Sequence, residues 1–176
     1  MKKISTNLKT KIDAIITKMY FTCIKTPIGL LKIEFDSFFS VQKIYKVNKY
    51  ENISIPDTAL KFVEQIDLYF EGKLINFNYP LNIKHLSEFN KKVMELINQI
   101  PYGYTTTYKW IAKQLNTSPR AVGQALKRNP LPIIIPCHRV INSDGTSGGY
   151  SLGIEEKKWL IKHEQTILYK PLSHKV

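Results

Sequence analysis

The apolar run Ile133-Ile134-Ile135 ends against Pro136 and is followed at once by Cys137-His138-Arg139-Val140, and no other segment narrows the fold and its chemistry as much. Three consecutive branched apolar residues demand burial and read as a buried strand or a packed segment. Pro136 then fixes φ, so the chain enters Cys137 stiffly. A rigidly presented thiol is what alkyl or acyl capture requires. A lone cysteine is more often a small core residue, but the polar pair His138-Arg139 directly after it points to chemistry. Adjacent side chains diverge in strands and helices alike, so His138 is expected to reach the thiol through a bridging water. Free cysteine titrates near ~8.5, and a neighbouring base or a positive charge such as Arg139 must raise the thiolate fraction at neutral pH. The carboxylate that orients His138 has to come from elsewhere in the chain.

A chain of 176 residues buries a real core and suits one domain, or two small ones sharing an interface. Cys23 and Cys137 are its only cysteines, and its four histidines are scattered. That excludes a disulfide framework and a cysteine-rich zinc site, predicts no metal, and points to a reducing, cytoplasmic setting. Thr, Asn, Lys and Asp interrupt the stretch from Ile4 to Met19, so it lacks a signal-peptide core. No apolar stretch is long enough to span a bilayer, and no membrane partner is expected. The formal charge of +12 is uneven: residues 89–176 carry 13 Lys/Arg against 5 Asp/Glu, and residues 1–88 carry 13 against 9. Between Lys91 and Asp144, Glu95 is the only acid preceding Asp144, against eight Lys/Arg, a plausible footprint for a phosphate backbone. The lysines of the first half read as a solvated surface.

Residues 1–18 place apolar side chains at near-helical spacing, although a frayed extension fits equally. Tyr20 to Lys25, the turn Thr26-Pro27-Ile28-Gly29, and Leu30 to Phe35 read as strand, tight turn, strand, with Val41 to Val47 as a third strand. Asp57 or Thr58 can cap a helix running to about Phe70, with Leu60, Val63, Ile66 or Asp67, and Phe70 on one face and Gly72 ending it. Residues 76–85 read as a connector. Ser87 can cap a second helix with a stripe of Phe89, Val93, Leu96, Ile97 and Ile100, stopped by Pro101-Tyr102-Gly103. Thr106 or Thr107 can cap a helix from Tyr108 to Leu115. After the turn at Asn116-Thr117-Ser118, Pro119 opens another helix through Arg128. Helix, short turn, helix is the helix-turn-helix outline. Ala121, Gly123 and Ala125 allow close approach of a backbone to a packed helix or to a DNA groove; the sequence leaves both open.

From Phe89 to Glu164 the chain resembles the O6-alkylguanine-DNA alkyltransferases, single-use repair proteins that move an alkyl group from damaged guanine to their own cysteine. The likeness rests on the Tyr108 helix, Arg120-Ala121-Val122-Gly123, Asn129-Pro130, Pro136-Cys137-His138-Arg139-Val140, Tyr150-Ser151 and His163-Glu164, in the family's order. It implies an α/β amino-terminal domain, a small antiparallel sheet plus a helix with a basic extension, over residues 1–85. A mostly α, winged-helix-like domain with a helix-turn-helix would follow over residues 86–176. It further implies that Cys137 is the alkyl acceptor, that His138 draws off the thiol proton through a water, and that Glu164 orients His138. From sequence reasoning alone Glu155 and Glu156 are equally available for that last role. The Tyr108 hydroxyl would serve the purine N3, while backbone groups at Cys137, Val140 and Ser151 hold the base edges beside Tyr150.

The resemblance also implies the partner: double-stranded DNA containing O6-alkylguanine, bound through the minor groove, with the damaged nucleotide flipped into a pocket. Arg120, near the amino end of the second helix, would replace the extruded base in the stack, with Ala121, Gly123 and Thr107 as further DNA-binding positions. Asn129 would brace the turn between recognition helix and active-site segment. No cofactor is implied, since the DNA is the alkyl donor. A monomer is expected, with cooperative loading on DNA allowed. Leu152 stands where the family has the first glycine of a pair, which predicts a stiffer or narrower loop beside the pocket.

Overall fold

The computed structural model describes residues 20–51 and 55–169. Residues 1–18, read above as helix or frayed extension, lie outside the described residues. Three strands, β1 (Tyr20–Thr26), β2 (Gly29–Phe35) and β3 (Val41–Lys46), form an antiparallel sheet in sequence order. The β1–β2 turn is closed by Thr26, whose hydroxyl donates to Gly29 O at 2.7 Å and accepts from Ile28 N at 3.3 Å. Alternation places Leu31, Ile33 and Phe35 of β2 in the core, where helix α1 (Asp57–Phe70) covers them.

The buried face of α1 is Ala59, Phe62, Ile66 and Tyr69, one position away from the predicted face; Leu60 is 43% exposed. Aromatic bulk decides the rotation: Phe62 meets Phe35 edge-on at 6.2 Å, and Tyr69 reaches across to the second half of the chain. The predicted cap is also corrected. Pro56 occupies the N-cap position without a side-chain hydrogen bond, and Asp57 lies in the first turn, where its charge complements the helix dipole.

After the connector comes α2 (Glu88–Asn98), capped by Ser87, whose hydroxyl accepts from Asn90 N at 3.3 Å. Asn90 and Met94 join Val93 and Ile97 on its buried face, while Phe89, predicted to be buried, faces solvent. A short strand β4 (Thr106–Thr107) leads into α3 (Tyr108–Gln114), and α4 (Pro119–Lys127) follows across a turn in which Asn116 takes φ 48°. Thr107 caps α3 by accepting from Trp110 N at 3.1 Å, and Ser118 caps α4 by accepting from Ala121 N at 3.2 Å, ahead of Pro119 in the first turn.

Ile133 to Ile135 form a buried turn rather than a strand: Ile135 N donates to Leu131 O at 2.9 Å, and Ile133 takes φ 78°. A β-branched residue in that region is strained, and the strain sits four residues before Cys137. A short 3-10 turn (Cys137–Arg139) leads into β5 (Val140–Ile141), which pairs in parallel with β4, Thr106 opposite Val140. The last element is α5 (Ile154–Leu168). One apolar cluster runs from Ile24 to Leu160 through both halves. Among the described residues no helix is long and apolar enough to cross a membrane.

Candidate active site

Asn129 organises the approach to Cys137. Its Nδ2 donates to Ile135 O at 2.9 Å and to Cys137 Sγ at 3.1 Å, and its Oδ1 accepts from Leu131 N at 3.0 Å. A single buried amide thus closes residues 131–135 into a loop and aims the thiol. Cys137 is only 5% exposed. Burial pushes its thiol up to about 11, against the opposing pulls of the Asn129 hydrogen bond and the Lys157 charge.

Behind the thiol lies a network centred on Glu164. His138 Nε2 is 2.8 Å from Glu164 Oε1; Arg139 donates to the same carboxylate from Nε and Nη2, each at 2.9 Å. The Tyr69 hydroxyl at 2.9 Å and Gly103 N at 3.0 Å complete the set. Burial alone would raise the Glu164 carboxyl, but the hydrogen bond from His138 and then the hydrogen bonds and charge of Arg139 outweigh it and hold the group well below the usual carboxylate range. Burial likewise lowers the His138 imidazole, overriding the pull of Glu164. A neutral imidazole whose Nε2–H donates to Glu164 leaves its Nδ1 lone pair available, and Nδ1 has no hydrogen-bond partner among the described residues.

Arg139 does not face the thiol as the sequence reading expected. Its guanidinium is committed to Glu164 and, through Nη1, to Ile100 O at 2.6 Å. The cation beside Cys137 is Lys157, which sequence reasoning missed among the charges of 155–158. It is wholly buried, donates to Val140 O and, at 3.4 Å, to Gly149 O, and lies 5.6 Å from the Tyr108 ring centre. Burial lowers its ammonium to about 8. Lys157, Leu160 and Glu164 are the buried residues of α5; their i, i+3, i+7 spacing was the available signal.

Cys137 opens onto a cavity of about 700 Å³. Tyr108, Gly148, Gly149, Tyr150 and Ser151 line it, together with Pro119, Gly123, Leu126 and Lys127 of α4. The Tyr150 ring stands edge-on to His138 at 6.2 Å. Gly148, at φ 67°, lies so close to Tyr108 that a Cβ there would be 2.9 Å from the hydroxyl oxygen. Leu152 is buried and does not line the cavity. Val140 is likewise buried and does not line the cavity. On the outer face Arg120 is exposed and Ala121 half-buried, in the first turn of α4, while Thr107 serves as the α3 cap. The arrangement therefore places a thiol and a tyrosine on one cavity, with a buried histidine–carboxylate pair beginning at the residue next to the thiol. Among the described residues no group of three or more His, Cys, Asp or Glu side chains converges as metal ligands would.

Comparison with known proteins bears on this site. The profile of the 6-O-methylguanine DNA methyltransferase DNA-binding domain matches residues 88–166. A methylated-DNA–protein-cysteine methyltransferase of Methanocaldococcus jannaschii is 46% identical over 131 residues, covering 70% of this chain and 76% of that protein. One from Saccharolobus solfataricus is 50% identical over 104 residues, covering 59% and 68%. Among solved structures, the O6-methylguanine methyltransferase of Mycobacterium tuberculosis superposes with a TM-score of 0.74 at 30% identity, covering 85% of this chain and 94% of that one. The same organism's protein in complex with DNA gives 0.75 at 31% identity, covering 84% and 94%.

Proposed function

The chain belongs to the methylated-DNA–protein-cysteine methyltransferase family, and on that premise we propose that Cys137 accepts the alkyl group of O6-alkylguanine in an irreversible, single-turnover reaction. It is a DNA-repair enzyme of the alkyl-transferring class, and its partner is DNA. The observation that carries the assignment of Cys137 is its thiol, held by Asn129 at the cavity with the His138–Glu164 pair behind it.

A thiol near 11 is almost wholly protonated at neutral pH, with thiolate at about one part in ten thousand. Transfer therefore requires proton removal as substrate docks. The proton leaves Cys137 through a water to His138 Nδ1, whose other nitrogen is held by Glu164. The sulfur then attacks the alkyl carbon: the S–C bond forms as the O6–C bond breaks, and the electron pair passes to the purine. Tyr108, which lines the cavity and whose phenol burial raises above its ordinary value, donates a hydrogen bond to N3 as charge develops on the ring. The proton taken up by His138 passes back through water to the purine anion, so the products are a thioether and restored guanine, and one molecule repairs one lesion. Lys157 donates to the Val140 and Gly149 carbonyls and supplies the positive charge that favours thiolate.

The alkyl carbon lies inside a base stack, beyond reach of a buried thiol, so the nucleotide flips into the cavity. α4 enters the minor groove, Arg120 fills the vacated stack, and Ala121 and Gly123 admit the backbone closely. Tyr150 and Ser151 flank the base, with backbone groups of Cys137, Val140 and Ser151 at its edges. The same reading divides the chain into an amino-terminal part, residues 1–85, and a DNA-binding and alkyl-accepting part, residues 86–176, working as a monomer.

The test is to incubate the protein with duplex DNA carrying O6-methylguanine and examine the Cys137 peptide by mass spectrometry, with Cys137→Ala as control. One methyl per molecule at Cys137 and restored guanine are expected. Tight binding by folded, reduced protein without transfer would overturn the assignment and leave lesion recognition in its place.

A further inference from the structure

Strand β3 touches both segments that build the cavity. At its middle, Ile44 N donates to Pro130 O at 2.8 Å, beside the Asn129 amide that holds Cys137 Sγ. At its end, Lys46 Nζ forms an ion pair with Glu156 in the first turn of α5, 110 residues away in sequence. The Lys46 stem lies across the β1–β2 turn, where a Cβ on Gly29 would be 3.1 Å from Lys46 Cε. The Glu156 carboxylate in turn lies against Gly153: a Cβ there would sit 1.9 Å from Glu156 Oε2, and φ is 121°, so a side chain is excluded twice over. Gly153 N donates to Tyr150 O at 3.2 Å, closing the turn that carries Tyr150 and Ser151 onto the cavity. One strand thus reaches the nucleophile's support on one side and the pocket loop on the other.

We propose that Lys46 is a positioning residue for alkyl transfer: through Glu156 it holds the Tyr150–Gly153 turn at a set spacing from Cys137, so that the amino-terminal sheet fixes the width of the alkyl-accepting cavity. The proposal rests on the alkyl-transfer reading above. The ion pair is partly exposed, with side chains 39% and 20% accessible, so its contribution to global stability is small. Its effect falls on geometry, where small displacements of a reacting group are costly.

The experiment compares wild type with Lys46→Met, Lys46→Arg and the exchanged pair Lys46→Glu with Glu156→Lys, using two readouts. Amide hydrogen exchange of the segment 148–153 is read by mass spectrometry, and the second-order rate constant is read with O6-methylguanine in duplex DNA. Lys46→Met is expected to speed exchange in that segment by about fivefold while leaving the core protected, and to slow transfer by about fivefold. Lys46→Arg and the exchanged pair restore both. Unchanged exchange at 148–153, or faster exchange with an unchanged rate, overturns the proposal. A wild type that fails to alkylate Cys137 instead overturns the functional reading, and the exchange readout then still decides whether the strut holds the loop.

Discussion

Glu164 is the residue on which the interior of the site depends, because each of its carboxylate oxygens accepts from several donors and its charge balances Arg139. Glu164→Gln keeps the shape but removes the charge and turns an NH2 group toward donors. Arg139 is left buried without a counter-charge. The expected outcome is a loss of about 3–5 kcal/mol in urea unfolding, together with slower methylation of Cys137 because His138 loses its orienting partner. A variant as stable as wild type would show that Arg139 finds another acceptor. Much of this chemistry was legible in the sequence: the thiol, the histidine beside it, and the need for a distant carboxylate follow from local residue types. Which carboxylate came only from the family resemblance, which named Glu164; residue types alone leave Glu155, Glu156 and Glu164 equal, since they differ in the helix face that packing turns inward. Lys157 was hidden for the same reason, and Arg139 was given a role at the thiol that Lys157 occupies.

At the scale of elements, α3 and α4 form a rigid pair because each is capped by a hydroxyl one residue ahead of it and α4 buries Val122, Ala125 and Leu126. Arg120, in the exposed first turn of α4, takes no part in that packing. Arg120→Ala should therefore leave folding intact while slowing repair in duplex DNA by about tenfold or more, the cost of an unfilled base step. Reaction with a free O6-alkylguanine base should change little. Equal losses on both substrates would remove Arg120 from the stack-filling role. The β4–β5 pair binds the start of α3 to the residues just after Cys137, so the α3–α4 pair and the thiol share one frame. Caps and turns of this region were readable because they depend on residues three or four apart. The face of α1 was not, because Phe62 and Tyr69 outcompete Leu60 for the core only when their partners Phe35 and Glu164 are in place.

For the whole molecule, the buried charges set how stability responds to pH. The Glu164 carboxyl and the His138 imidazole both lie below their ordinary values in the folded state, so the unfolded chain binds more protons and stability rises with pH. The contribution of these two groups should be complete above about 6.5, begin to fall as unfolded-state His138 protonates, and fall further below about 4.3 as unfolded-state Glu164 does. Urea midpoints measured from neutral pH to acid check this, and Glu164→Gln should flatten the lower part. A midpoint independent of pH across that range would contradict the buried network. In alkali the signs oppose. Lys157, lowered to about 8, adds stability as pH rises toward its unfolded value, while Cys137, raised to about 11, removes it over a similar window.

By itself the amino-acid order determined what depends on near neighbours. It set the stiff entry to Cys137, the hairpin of the first half, the Ser87 cap, a cap at Thr106 or Thr107, the turn ahead of Pro119, the helix-turn-helix outline, and a basic second half suited to a phosphate backbone. Backbone preference and short-range hydrogen bonding decide these, and both act over a few residues. Tertiary structure alone decided which distant groups meet: Glu164 with His138 and Arg139, Lys157 with the Val140 carbonyl, Lys46 with Glu156. Burial made a lysine and a glutamate part of the site, because the energy of a charge depends on how much water the whole fold excludes from it, and residue type carries no record of that exclusion.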